Sequence, residues 1–220
     1  MDRETYLRAQ IVETGKRLQQ RFFVASNDGN ISVKLEDNII LITPTGVNKG
    51  EVCSDQIVKV DLDGNVIEGH MKVTSEIKMH LIVYKMRNDI KAVVHAHPPA
   101  ATAFAVSGEK LDEPTILPEA IFSLGKVGYC DYGTPSTCEV SQSVEKEIPY
   151  SDALLLANHG ALTVGKDVMD AYYKMENLEM VSKITLYTKI IGNVRTLNKE
   201  QIEKLNRVKK EKGWGNVKHI

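Results

Sequence analysis

The alternation of apolar and polar positions divides the chain into a series of short elements. Leu7, Ile11, Leu18 and Phe22 recur at helical spacing and predict an amphipathic first helix over residues 4–22. Gly15 weakens it only locally. After the turn-forming run Ser26-Asn27-Asp28-Gly29-Asn30 comes Ile31-Ser32-Val33-Lys34-Leu35, an alternating strand. Glu36-Asp37 reverses the chain into Asn38-Ile39-Ile40-Leu41-Ile42-Thr43, so these strands read as a hairpin that ends at Pro44-Thr45-Gly46. Ile57–Asp61 and Val66–Glu68 flank Asp63-Gly64-Asn65, and a D-G turn between such runs signals a second hairpin. Thr74 or Ser75 can cap a helix running to about Arg87, with Ile77, Leu81 and Tyr84 facing the core.

Ile90, Ala92, Val93 and Val94 then lead into His95-Ala96-His97, and Pro98-Pro99 stops the run, which reads as a buried strand. An Ala-rich helix over 100–106 follows. The stretch from Ile116 to Tyr132, broken by Gly125 and Gly128 and followed by Gly133, predicts short strands and loops. Glu139 to Ile148 reads as a helix, and Leu154-Leu155-Leu156-Ala157 as a second apolar strand ending at Asn158-His159-Gly160. Ala161 to Val164 pairs after Gly160. Asp167 caps a long helix with Val168, Tyr172, Met175, Leu178 and Val181 on its inner face, ending near Gly192. A polar helix over about 197–212 closes the pattern. Because many strands arrive as hairpins, the sheet cannot be all parallel. Helices before, between and after the strands predict a three-layer α/β/α fold with a central mixed, mostly antiparallel sheet, in one domain over 1–220.

Composition narrows the function classes. With 220 residues, 42% hydrophobic and 26% charged, the chain has the make-up of a soluble globular protein with a sizeable core. A net charge of −1 gives no global field to attract nucleic acid or an acidic membrane. Seven Lys or Arg stand against three Glu between Lys199 and Lys218, which reads as a solvated helix face rather than a nucleic-acid patch. Three cysteines (Cys53, Cys130, Cys138) without a C-x-x-C argue against a disulfide framework or a thiolate zinc site and fit a reducing cytoplasm. Met1-Asp2-Arg3-Glu4 lacks the apolar core of a signal peptide, and no apolar run approaches the roughly 20 residues that span a bilayer.

The chemistry gathers at strand ends. On a strand, His95 and His97 share a face, about 7 Å apart. They can hold one metal ion, or be one packed and one exposed histidine. His159, at the end of another apolar run, supplies a third imidazole. Three neutral imidazoles with an open position are the ligand set of a catalytic zinc site, and they also admit cobalt or manganese. His80 falls mid-helix and reads as packed or surface; His70 and His219 also lack the strand-end context. Glu76 opens a helix, where the dipole favours its charge. By spacing alone it is an ordinary helix-start carboxylate; beside a divalent ion it is a fourth ligand or a base. Gly29-Asn30, Thr45-Gly46 and Thr74-Ser75 offer N–H groups and short polar side chains, and the last pair opens a helix, as phosphate sites do; turns and caps look the same. No P-loop or G-x-G-x-x-G occurs, which argues against nucleotide binding.

Five motifs, in order and spacing, carry a resemblance: Gly29-Asn30-Ile31-Ser32, Ile42-Thr43-Pro44-Thr45-Gly46, Thr74-Ser75-Glu76, His95-Ala96-His97 and Asn158-His159-Gly160. From about Leu7 to about Gly192 the chain resembles the class II (zinc) aldolase and adducin-head family, most of all its L-fuculose-1-phosphate aldolase branch. The resemblance implies that His95, His97 and His159 hold Zn(2+), and that Glu76 is the catalytic acid/base and a metal ligand in the empty enzyme. It implies that Asn30, Thr45, Gly46, Thr74 and Ser75 hold a substrate phosphate, with Asn27 at the edge. It further implies a C4 homotetramer with active sites at subunit interfaces. The implied reaction is reversible cleavage of a ketose 1-phosphate to dihydroxyacetone phosphate and an aldehyde such as lactaldehyde.

Related branches differ at these motifs. Ribulose-5-phosphate 4-epimerases have Asp where Glu76 stands, and methylthioribulose-1-phosphate dehydratases lack that Glu. An adducin-like binding domain is expected to lose the histidines, and all three are present here. The tyrosines that handle the aldehyde half in the aldolase branch have no evident counterpart in Ile116-Leu117-Pro118-Glu119-Ala120 or Lys212-Gly213-Trp214. Glu119 falls where the dehydratase branch has a catalytic glutamate. Trp214 is expected to cover the substrate end by packing, since indole donates but cannot act as an acid.

Overall fold

A computed structural model describes residues 1–36, 38–111 and 116–213. Trp214 therefore lies outside the described residues. The elements in order are α1 (Arg3–Gln20), β1 (Asn30–Glu36), β2 (Ile39–Ile42), β3 (Val58–Asp61), β4 (Val66–Glu68) and α2 (Ile77–Met86). Then come β5 (Ala92–Ala96), α3 (Pro99–Ser107), β6 (Val127–Cys130), α4 (Cys138–Glu147), β7 (Ala153–Leu156), β8 (Gly160–Gly165), α5 (Val168–Ile191) and α6 (Lys199–Lys212). The strands form one sheet in the order β4-β3-β2-β1-β5-β8-β7-β6. β6 and β7 run parallel, joined through α4; every other neighbouring pair among the described strands is antiparallel. The expected three-layer α/β/α architecture with a mixed, mostly antiparallel sheet is what forms.

The two-residue period of the strands sorts side chains between the layers. Val94 and Ala96 of β5, with Ile31, Val33 and Leu35 of β1, pack in one core with Ile11 and Leu18 of α1, Phe104 of α3 and Tyr172, Met175 and Leu178 of α5. Val93 of β5 and Leu162 and Val164 of β8 face the other way, into a core with Met79, Val83 and Tyr84 of α2 and Val144 of α4. His95 follows Val93 by two residues and so faces the α2 layer, as do Asn30, Ser32 and Lys34 of β1. These three polar residues are buried, so both faces of β1 are covered.

Local signals act largely where expected. Asp167 accepts from the Asp170 N–H at the start of α5, and Asn198 forms a reciprocal cap with Gln201 at the start of α6. Besides Phe22, which lies beyond the end of α1 with φ 58° and is exposed, three expectations change. First, α2 starts at Ile77, not at the Thr74-Ser75 pair, and Glu76 is its N-cap residue without making a side-chain cap. Thr74 Oγ1 instead accepts from Glu76 N at 3.3 Å, which leaves the carboxylate free to turn inward. Second, the 116–132 stretch holds one strand, β6, preceded by a π-helical turn over Ala120–Leu124 that closes with Gly125 N donating to Ala120 O. Third, Gly15 is a contact, not just a weak point. A Cβ there would lie 1.9 Å from the carbonyl oxygen of Lys49, so α1 rests directly on the 47–50 segment. No helix among the described residues is long and apolar enough to cross a membrane.

Candidate active site

The three histidines meet at one end of the central strands. His95 sits on β5, in register with Asn30 of β1 and Leu162 of β8. His97 is one residue past the strand. His159 is on the short β7–β8 turn, where Asn158 takes the left-handed conformation (φ 55°) that asparagine tolerates. Ring centroids lie 4.7–5.2 Å apart, and one nitrogen from each ring falls within 4.8 Å of the others. Gly160 makes this approach possible: a Cβ there would come within 2.5 Å of His97 Cδ2 and 2.7 Å of Ala96 O.

Proton placement shows what the cluster wants. His95 Nδ1 is 2.9 Å from the Ala161 carbonyl, which only accepts, so Nδ1 carries the hydrogen. Burial pushes the His95 pKa down to about 3, so the ring is neutral and Nε2 presents a lone pair. That lone pair faces His97 Nε2 at 3.2 Å and Glu76 Oε2 at 3.3 Å. His97 is also shifted down, by burial first and then by the neighbouring His159. Glu76 Oε1 lies 3.2 Å from His159 Nε2 without forming a hydrogen bond, and both it and His159 Nδ1 are buried without hydrogen-bond partners. Burial opposes the charge of Glu76. The His95 and His159 imidazoles and the Asn30 amide outweigh it and hold the carboxyl well below the usual carboxylate range. The downshifted His95 and His97 rings and an ionised carboxylate converge with too few protons between them. This donor set fits a divalent cation.

Glu76 is oriented from beneath by a chain that reaches beyond the motifs to His80 and Tyr84. Asn30 Nδ2 donates to Glu76 Oε2 at 2.8 Å and to Thr74 Oγ1 at 3.2 Å. The amide's other end, Oδ1, meets His80 Nε2, which must donate because Oδ1 only accepts. His80 Nδ1 then accepts from Ser32 Oγ at 2.7 Å, and Ser32 Oγ accepts from Tyr84 OH at 2.7 Å. His80 is fully buried, and burial lowers its pKa to about 4, so it stays neutral. His80 is thus a packed residue, not a surface one, with the added task of fixing which way Asn30 points.

A cleft of about 330 Å³ opens beside the cluster. Asn27, Asn30, Thr45, Thr74 and Ser75 line it together with Glu76, His97 and His159. Gly46 (φ 74°) follows Thr45 in the turn but is not among the lining residues. Lys49, Asp28, Pro135 and Ser136 also line it, and motif spacing pointed to none of them. Asp28 Oδ2 is 3.6 Å from His97 Nδ1. Ser136 carries a backbone signal of its own, a left-handed φ of 68°. Glu119 is exposed just before the π-helical turn and does not line the cleft.

An α/β/α fold that delivers three imidazoles and an ionised carboxylate to a polar cleft defines a protein built for chemistry on a small polar molecule. The chain belongs to the Class II Aldolase and Adducin N-terminal domain family, whose profile matches residues 9–186. It is 38% identical over 182 residues to the L-fuculose phosphate aldolase of Methanocaldococcus jannaschii, covering 83% of this chain and 97% of the relative. Against the 5-deoxy-D-ribulose 1-phosphate aldolase of Bacillus thuringiensis the identity is 34% over 209 residues, covering 94% and 96%. A solved L-fuculose 1-phosphate aldolase superposes with a TM-score of 0.85 at 33% identity, covering 93% of this chain and 96% of that one.

Proposed function

We propose that the protein is a zinc-dependent aldolase that reversibly cleaves a ketose 1-phosphate, of the L-fuculose 1-phosphate kind, to dihydroxyacetone phosphate and an aldehyde such as lactaldehyde. The observation that carries this reading is the convergence of His95, His97 and His159 on Glu76 at the mouth of a polar cleft. Family membership and the aldolase names of the relatives support it.

In this reading His95, His97 and His159 hold the metal, with Glu76 as a further ligand when no substrate is present. A bound zinc ion supplies Lewis-acid polarisation of a carbonyl and stabilises negative charge on oxygen. The chain's own residues do the rest. Asn30, Thr45, Gly46, Thr74 and Ser75 hold the phosphate, with Asn27 at the rim, so the substrate's C3–C4 bond is presented to the histidine end of the cleft. On cleavage the C4 hydroxyl passes its proton through water to Glu76, the C3–C4 bond breaks and the aldehyde departs. Glu76 delivers a proton to C3 of the remaining half, and in the addition direction removes it. Its ionised resting state suits the addition direction, and the Asn30 amide keeps the carboxylate aimed. The active assembly is a cytoplasmic homotetramer with active sites at subunit interfaces, in which a neighbour's segment around Glu119 completes the aldehyde end.

A panel of ketose 1-phosphates, with dihydroxyacetone phosphate release as readout, tests this. Release from at least one is expected. No release, alongside loss of water from methylthioribulose 1-phosphate, replaces the aldolase with a dehydratase that uses Glu119. Inertness toward sugar phosphates, with no bound metal, leaves an adducin-like binding domain.

A further inference from the structure

The cleft contains a cation that none of the five motifs includes. Lys49 is 1% exposed, yet its side chain reaches the cleft wall between the two loops that supply Asn27–Asn30 and Thr45. Its Nζ donates to Asn27 O at 2.8 Å and to Val47 O at 2.6 Å, one carbonyl from each loop. An ammonium has three hydrogens to place. The third meets no acceptor among the described residues, and no carboxylate there comes within ion-pair distance of Nζ. Asp28 and Glu76 act on it only through space, and burial lowers its pKa to about 8. A buried ammonium held by carbonyls alone is costly to keep, because neutral acceptors replace water without cancelling the charge.

The cleft's other charges show what that cost serves. Asp28 and Glu76 both line it, so without Lys49 its fixed side-chain charge would be negative on both walls. Apart from the metal at the histidine end, a phosphate dianion entering there would meet repulsion from Asp28 and only neutral hydroxyls and amides in compensation. Hydrogen bonds from a charged donor are roughly twice as strong as neutral ones. The ammonium is also held rigidly. Its backbone carbonyl rests on α1 at Gly15, where no side chain fits, and its Nζ is tied to a carbonyl of each loop.

We propose that Lys49 is the fixed cation of an anion subsite in this cleft, and that its charge makes the enzyme demand a phosphorylated substrate. This rests on the ketose-phosphate reading and deepens it by naming the group that recognises the phosphate charge. Lys49→Gln keeps donors for the two loop carbonyls and removes the charge.

The test uses the metal-loaded protein and inorganic phosphate as probe, followed by calorimetry. Kd for phosphate should rise about tenfold or more in Lys49→Gln, a change of about 1.4 kcal/mol or more. KM for the ketose 1-phosphate should rise in parallel while kcat falls less than about threefold, the pattern of lost binding shared by ground and transition states. KM for the unphosphorylated ketose should not move. Unchanged phosphate affinity in a folded, metal-loaded Lys49→Gln overturns the proposal, as does equal damage with both substrates. If that variant does not fold, an experimental structure of the wild type with phosphate decides. A phosphate oxygen within hydrogen-bond reach of Nζ, directly or through one water, supports the proposal; a phosphate seated elsewhere overturns it. Phosphate bound at Lys49 without dihydroxyacetone phosphate release from any ketose 1-phosphate sinks the aldolase reading alone. Release without phosphate binding sinks the Lys49 subsite alone.

Discussion

Two buried polar clusters stand at opposite ends of the same two elements, α2 and β7, and they are built on opposite plans. Past the end of α2, Arg87 pairs with Asp89 at 2.7 Å and Asp152 at 3.0 Å and donates to Ile148 O. Asp152, just before β7, takes Lys174 Nζ on its other oxygen at 2.9 Å, and Lys174 also reaches Val164 O and Asp170. Opposite charges meet there, and carbonyls take further N–H groups. At the other end, Glu76 precedes α2 and His159 follows β7. There, the Glu76 carboxylate faces the His95 lone pair at 3.3 Å, and Glu76 Oε1 and His159 Nδ1 are buried without hydrogen-bond partners. The closed cluster holds the fold together and has no capacity left for a ligand. The open one lacks positive charge, and that deficit is what makes it a site.

Substitutions can break this contrast at either end. His95→Ala should have the largest effect: loss of bound metal and of turnover together, read by elemental analysis and the dihydroxyacetone phosphate assay. Zinc retained at full occupancy would remove His95 from the ligand set. Glu76→Gln should keep the metal and lower turnover by about 10²–10⁴-fold, the usual worth of a positioned acid/base. A fully active variant would reject the assignment.

At the closed end Asp152→Asn should leave metal content and kcat per folded molecule unchanged. It should cost about 3–5 kcal/mol in denaturant unfolding, because Lys174 and Arg87 stay buried with too little negative charge. A loss under about 1 kcal/mol would show that the cluster does not stabilise the fold. The smallest effect is in its pH dependence. Burial raises the Asp152 pKa, but Lys174 and Arg87 outweigh it and hold the pKa below its ordinary value. Its contribution is therefore complete above the unfolded carboxyl pKa of about 3.9 and declines as pH falls from there through the folded value. The stability gap between wild type and Asp152→Asn should narrow below about pH 4. A gap that stays constant down to pH 3 would contradict the pairing.

Much of the site was legible because its residues sit in short motifs with local causes. A strand that stops at Pro98-Pro99 presents His95 and His97; a tight turn presents His159; a turn before a helix presents Glu76. Lys49 was not legible, because nothing in Val47-Asn48-Lys49-Gly50 distinguishes a buried lysine from a surface one. Its burial depends on α1 closing over it at Gly15, 34 positions earlier in the chain. His80 was hidden for a similar reason. Alternation like that of β1 ordinarily marks a strand with one wet face; here α2 covers that face, and Asn30 and Ser32 become partners for His80 instead of water.

By itself the sequence determined which stretches are helix and which are strand through most of the chain, because apolar period, cap residues and Gly or Pro breaks act within a few positions. It also determined the layer order in outline and which histidines had strand-end settings. The tertiary structure decided which polar side chains lose their water, which tautomers His95 and His80 hold and which buried charges are left unpaired. Those outcomes depend on contacts between residues dozens of positions apart, and desolvation exists only once the layers have closed.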